Sequence, residues 1–297
     1  MSGLLVFGAG GQLGQEISFQ AAARQIEIFG VTRAQADLSD SVAVSALITA
    51  VRPRLIVNCA AYTAVDRAES DPVTAREVNV IGAANVARAA AAAEVPLVHL
   101  STDYVFDGTK SGSYVEDDVV APINVYGRTK AEGEVQVRAI APRHIILRTA
   151  WLYGRFGNNF LKTMLRLAGE QTRLRVVVDQ KGCPTATQDV AEAIFAIDEK
   201  IRGNEQVVWG TYHFAGAGTT SWHGFAEHII AIRARNIKSR PVVLPITTAD
   251  YPTPARRPRN SELDSSRFLT AFQYRAAPWQ ARVAELVDTL AIPAEAP

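Results

Sequence analysis

Along its first half the chain alternates short apolar runs with longer stretches in which apolar residues recur every three or four positions. The runs LLVFGAG, IEIFGVT, RLIVNCAAY, VPLVHLSTDY and HIILRTAW carry the β-branched and aromatic residues of buried strands, and the stretches between them have helical spacing. Strands of this kind separated by helices need crossover connections, which predicts an α/β fold: a parallel sheet with helices on both faces. Residues 71 to 93, DPVTAREVNVIGAANVARAAAAA, read as one helix whose alanines permit close packing and which ends before Pro96. Beyond about residue 155 the alternation loosens. There a helix is predicted over GNNFLKTMLRLAGE, a strand over LRVVVD, a turn at Gly182 and Pro184, a helix near 187 to 200, and isolated strands at TYHFAG and PVVLPI. The segment YPTPARRPRN, residues 251 to 260, is too irregular for either element and reads as a loop over a ligand. Its arginines Arg256, Arg257 and Arg259 have the charge to meet a diphosphate.

Composition narrows the class without deciding it. With 297 residues, 48% hydrophobic and 21% charged, the chain has ample material for one large or two unequal domains and is not of the disordered type. A net charge of +1 gives no general attraction to nucleic acid or to an anionic membrane, so any anionic ligand has to be held by a local site. No apolar run reaches the roughly 18 residues of a membrane span, and no charged region followed by a signal core opens the sequence, so a cytoplasmic protein is expected. Cys59 and Cys183 show neither metal-ligand nor disulfide spacing and read as packing residues. His213, His223 and His228 share no ligand pattern.

The first strand runs into GAGGQLG, where Gly8, Gly11 and Gly14 recur every third residue ahead of a helix. Glycines allow a tight turn and close approach to a pyrophosphate, and the free N–H groups of the helix start attract it. A Rossmann-type, dinucleotide-binding domain over residues 1–155, rejoined by later segments, is therefore expected, with residues 156–297 mainly a smaller substrate-binding domain. At the end of the second strand stands Arg33, suited to a 2′-phosphate, which favours NADPH somewhat over NADH. Asp37 and Leu38 follow, an acid for the adenine amino group and an apolar cover for the ring. After the third strand the small Ala60 and Ala61 admit the cofactor's backbone, and Thr63 can bind it. After the fourth come Ser101, Thr102, Asp103 and Tyr104, at the carboxyl ends where open parallel sheets bind ligands. Tyr126 and Lys130 lie one helical turn apart in INVYGRTKAEGE. A phenol can give its proton to a carbonyl oxygen becoming an alkoxide, and a neighbouring ammonium is expected to lower its pKa while also holding the nicotinamide ribose. Thr102 can complete the donor set at that oxygen.

These residues and the stretches VNCAAYTAVDRAESD, LSTDYVFDG, PINVYGRTKAEGE, RTAWLYG, DQKGCPT and RRPRNSELD resemble the extended short-chain dehydrogenase/reductases and, within them, the dTDP-4-dehydrorhamnose reductase family. The resemblance spans nearly the whole chain. It implies reduction by NAD(P)H of the C4 keto group of a dTDP-linked 4-keto-6-deoxy sugar, dTDP-4-dehydro-β-L-rhamnose, to dTDP-β-L-rhamnose. It further implies Tyr126 as proton donor, Lys130 as its partner, Thr102 as the third catalytic group, and Thr102, Asp103 and Trp151 as sugar contacts. Cofactor contacts carried by the resemblance fall on Gly11, Gln12 and Leu13, on Asp37 and Leu38, and on Ala61, Tyr62 and Thr63. Either nicotinamide cofactor is accepted in the family, and some members form homodimers around a magnesium ion. Here only Glu16 and Asp189, beside the neutral Gln188, stand where its acidic ligands would, so no metal is expected and both read as solvated helix charges. Two rival readings remain. A related nucleotide-sugar epimerase or dehydratase would share the glycine loop and the tyrosine–lysine pair, though Thr102 is followed by Asp103 and Tyr104 instead of an acid pair. A non-catalytic, NADP-binding regulatory subunit would have no need to keep all three catalytic groups.

Overall fold

Six parallel strands form the central sheet of the computed structural model, which describes residues 3–203, 206–233 and 240–291; the last six residues of the expected second domain lie outside them. The first half contains β1 (Leu4–Phe7), α1 (Gln12–Ala23), β2 (Ile28–Val31), α2 (Ser41–Val51), β3 (Leu55–Asn58), α3 (Val65–Ala68), α4 (Pro72–Arg76), α5 (Ala83–Ala92), β4 (Leu97–Thr102), α6 (Val125–Ile140) and β5 (His144–Thr149). The second contains β6 (Leu152–Tyr153), α7 (Phe160–Glu170), β7 (Arg173–Val177), β8 (Lys181–Gly182), β9 (Thr185–Ala186) and α8 (Thr187–Arg202). It continues with β10 (Gly210–His213), β11 (Thr220–Ser221), α9 (Trp222–Arg233), β12 (Val242–Ile246), α10 (Ser266–Phe272) and α11 (Trp279–Ala291).

Strands β1, β3, β4 and β5 are buried along their whole length, which is why their sequences are largely apolar instead of alternating. The sheet order is β10-β5-β4-β3-β1-β2, so the chain reverses its direction of travel at β1 and β3. A crevice opens beyond the carboxyl ends of strands at such a reversal. On one face Leu13, Ile17 and Ala21 of α1 and Val190, Ile194 and Ile197 of α8 close a core over the sheet. On the other, Val44 and Ile48 of α2, Val86 and Ala90 of α5 and Val137 of α6 do the same. The strand expected to stand alone at TYHFAG is β10, which adds to β5 in parallel with His213 opposite Arg148. PVVLPI is β12, paired in parallel with β7. These two strands, with α7, α9 and α11, surround a separate core that includes Leu161, Phe225, Ile229 and Val283.

The long helix predicted over 71 to 93 is present with one modification: between α4 and α5 the backbone widens into a π-helical segment, Glu77–Gly82. The cause lies in Asn79, which is buried and faces two different elements. Its side chain accepts from the Tyr62 N–H at 2.9 Å and donates to the Thr129 hydroxyl at 3.0 Å, tying the loop after β3 to α6. Such wide turns concentrate next to functional clefts. The expected turn at Gly182 and Pro184 divides β8 from β9, which pair with β11 and β6 respectively. Among the described residues no helix is long and apolar enough to cross a membrane.

Candidate active site

The glycine loop is shaped by contacts that exclude side chains. Gly8 has φ +79°, and a Cβ on it would lie 2.7 Å from the Ala60 nitrogen; one on Gly14 would lie 2.3 Å from the Gly8 carbonyl oxygen. The chain can therefore turn from β1 into α1 directly against the end of β3. Helix α1 starts at Gly11 without a side-chain cap, which leaves its first N–H groups for an anion. In front of them lies a cleft of about 650 Å³. Every residue expected to hold the cofactor lines it, from the glycine loop through Arg33, Asp37, Leu38 and the Ala60–Thr63 stretch to Tyr126 and Lys130. The lining thus fits a dinucleotide: a diphosphate cradle at one end, an arginine beside an acid for the adenosine side, and hydroxyl and ammonium donors at the other. Arg33 is largely exposed and pairs with Asp37 at 3.2 Å. The Asp37 carboxyl lies below its ordinary range, chiefly because the Ser39 N–H donates to it. An exposed pair of this kind contributes little, so Arg33 can leave it for a phosphate.

Sequence reasoning missed the opposite rim. Gly157 and Asn158, just ahead of α7, line the same cleft, and the Asn159 amide donates to the Gln12 side chain at 3.1 Å. The stretch GNN was read only as a helix start; its reach across to the glycine loop depends on tertiary packing.

Helix α6 sets the reacting groups. Its cap, Asn124, accepts from the Gly127 N–H at 2.7 Å, and Gly127 packs so closely on the Tyr104 carbonyl that a Cβ would lie 2.1 Å from it. One turn separates Tyr126 from Lys130, and both face the cleft. The Tyr126 phenol stands beside the Thr102 hydroxyl. Its pKa is pushed up to about 12, first by burial and further by Asp103, with Thr102 acting in the opposite sense. The expected lowering by Lys130 does not occur. Lys130 is itself buried and donates to the Leu100 carbonyl at 2.6 Å; burial brings it down to about 8, with Glu134 and Cys59 holding it up. Desolvation disfavours the charged form of each, so here it outweighs their mutual attraction. Cys59 lines the cleft next to Lys130, its thiol pushed up to about 12 by burial, and serves as wall.

Thr102 and Asp103 are buried behind this pair, and Trp151 stands apart from the dinucleotide cleft. Thr102 donates to Asp103 at 3.0 Å and accepts from the Tyr104 N–H at 3.2 Å. Burial raises Asp103 to about 7 despite the Ser261 hydroxyl beside it and the hydrogen bond from Thr102, and its second carboxyl oxygen has no partner among the described residues. Trp151 has φ +44°, unusual for a bulky side chain, and stacks on Trp222 with ring centres 3.6 Å apart and planes 4° from parallel. No sequence spacing linked these two tryptophans.

Two readings need correction. Glu16 and Asp189 are not solvated: each is only 1% exposed. The packing of α1 on α8 buries them, Glu16 pairing with Arg155 at 3.3 Å and Asp189 with Arg282 at 2.8 Å. Arg257 is not a free cation for a diphosphate. It donates to both Asp66 carboxylate oxygens, at 3.1 and 2.8 Å, to Thr253 and to the Ala255 carbonyl.

Known proteins share this arrangement. The RmlD substrate binding domain family matches residues 1–292. A dTDP-4-dehydrorhamnose reductase of Aggregatibacter actinomycetemcomitans is 44% identical over 94% of this chain and 96% of its own length. Another from Escherichia coli K12 is 38% identical, with 97% of each chain covered. Among solved structures, the dTDP-4-dehydrorhamnose reductase of Bacillus anthracis in complex with NADP superposes with a TM-score of 0.89 at 34% identity, over 97% of this chain and 100% of that one. With its glycine loop and its tyrosine–lysine pair on one cleft, the chain belongs to the dTDP-4-dehydrorhamnose reductase family.

Proposed function

We propose that this protein is a cytoplasmic oxidoreductase that uses NADPH or NADH to reduce the C4 keto group of dTDP-4-dehydro-β-L-rhamnose, giving dTDP-β-L-rhamnose. The observation that carries the reading is the convergence of Tyr126 and Lys130 with the glycine loop on one cleft, with Thr102 beside the phenol. The residues from Gly8 to Thr63 hold the dinucleotide, with its diphosphate at the start of α1 and Arg33 beside the adenosine. When bound, the reduced nicotinamide supplies the hydride. Tyr126, protonated at neutral pH because burial keeps its pKa near 12, gives the phenolic proton to the C4 oxygen as that oxygen gains negative charge. Thr102 donates a hydrogen bond to the same oxygen, and Lys130 holds the ribose while its charge stabilises the phenolate left behind. Asp103 and Trp151 contact the sugar, and residues 156–297 supply most of the remaining substrate surface.

The test follows the loss of NADPH absorbance with dTDP-, GDP- and UDP-linked 4-keto sugars offered in parallel. Turnover of the dTDP compound, with the reduced sugar recovered, is the expected outcome. Binding of NADPH without turnover of any of the three would favour a non-catalytic subunit and refute the reading.

A further inference from the structure

Residues 255–261, from the irregular segment and its continuation, meet the surroundings of Tyr126 at three points. The Arg256 carbonyl accepts from the Asn124 amide at 2.8 Å, and Asn124 is the residue that caps α6 at Gly127. The Arg257 guanidinium spans the Asp66 carboxylate on α3 and stands beside the Tyr104 phenol. Tyr104 in turn lies edge-on to Tyr126, ring centres 5.9 Å apart at 76°. Ser261 stands beside Asp103, which accepts from Thr102. The segment is itself pinned to β8 by the Lys181 N–H donating to the Arg259 carbonyl at 2.8 Å and the Ser261 N–H donating to the Lys181 carbonyl at 2.9 Å.

We infer that Arg257 is a positioning residue for the proton donor: through Tyr104 it fixes the attitude of the Tyr126 ring, so that residues 255–261 brace the catalytic phenol. This rests on the reductase reading of Tyr126 and extends it to a residue that touches neither cofactor nor reacting atoms. The guanidinium is planar, and two bonds to one carboxylate fix its plane; the cation beside the Tyr104 hydroxyl then has one position. A Tyr104 ring with its hydroxyl set against a fixed cation has less room to swing, and the Tyr126 ring packed on its edge is restrained with it. Displacements of an ångström at a reacting group cost up to about a hundredfold in rate, so a brace with no part in the chemistry can set turnover.

The test uses the full-length protein with NADPH and two variants, Arg257→Gln and Tyr104→Phe, each alone and combined with Tyr126→Phe. Arg257→Gln is expected to lower kcat about tenfold with NADPH affinity unchanged, and Tyr104→Phe, which keeps the ring and removes only its hydroxyl, about threefold. Neither loss should appear on the residual rate of the Tyr126→Phe background, because a brace on an absent hydroxyl has nothing to position. Equal fold-losses in both backgrounds, or losses confined to KM, would overturn the inference and leave Arg257 a structural anchor. A second readout is independent of turnover: the ζ-carbon NMR resonance of Tyr126, assigned by its disappearance in Tyr126→Phe, should shift in both variants, and an unmoved resonance overturns the brace. Should Arg257→Gln fail to fold, Tyr104→Phe decides by the same two measurements. If the wild-type protein turned over no 4-keto sugar while the resonance still moved, the reductase reading would fail and the brace would stand.

Discussion

Tyr126 and Lys130 are displaced in opposite directions by the same cause. Burial lifts the phenol to about 12 and brings the ammonium down to about 8, so in the neutral range both are protonated, as a proton donor and a ribose-holding cation need to be. As pH rises through about 8 it is Lys130 that loses its proton first. NADPH affinity is accordingly expected to weaken progressively above about pH 8, and in Lys130→Met to be weak and flat; cofactor titration across neutral and alkaline pH checks this. That the pair shares one helix face was legible in the four-residue spacing, whereas the sign of the phenol shift was not, because sequence does not show how much water reaches a side chain. Asp103 gives a second consequence. Its folded pKa, about 7, lies above the ordinary 3.8, so between those values the folded state binds more protons than the unfolded and stability falls as pH rises. Asp103→Asn removes that penalty. The Tm of the variant minus that of the wild type should be larger at pH 8 than at pH 4, and a difference independent of pH would exclude a carboxyl that ionises inside the fold.

At the scale of elements, the strand-to-helix turn at β1 and α1 has little tolerance. A methyl group on Gly14 meets the Gly8 carbonyl and the Ala9 Cα, which are backbone atoms that cannot rotate away. Gly14→Ala is expected to cost about 2 kcal/mol, within the usual range for overpacking. It should also weaken NADPH binding by moving the helix start; denaturant unfolding and cofactor titration measure the two losses. The strands of the first half were legible because β1, β3, β4 and β5 are buried along their length and therefore largely apolar, and the helices by their periodicity. What escaped was decided by partners remote in the chain. The π-helical segment exists because Asn79 reaches both Tyr62 and Thr129, and the rim at Gly157 and Asn158 because α7 begins beside Gln12. Neither partner is marked by local spacing.

Across the whole molecule, one buried charge network joins elements far apart in the chain. Arg148 on β5 is 2% exposed and donates to both carboxylate oxygens of fully buried Glu134 on α6, at 2.9 and 2.7 Å. Ser101 donates to the same carboxylate at 2.6 Å, and Arg148 also meets His213 on β10. This network joins the helix of the catalytic pair, the centre of the sheet and its edge strand. Breaking it from one side strands a carboxylate: Arg148→Met should cost about 4 kcal/mol, and the double change Glu134→Leu with Arg148→Met less than the single one, as read from denaturant unfolding. The sequence announced the sheet and its ligand-binding edge, but not that β10 would complete it, because a four-residue strand late in the chain carries no address for its neighbour.

The packing of α1 on α8 also bears on how the protein is made. These helices close one face of the sheet together, yet well over a hundred residues separate them in the chain. At translation rates of about 5 to 20 residues per second, Leu13, Ile17 and Ala21 wait roughly ten to thirty seconds for Val190 and Ile194 to emerge. During that interval the nascent chain presents a greasy flank, the kind of surface that chaperones occupy until the late partner arrives.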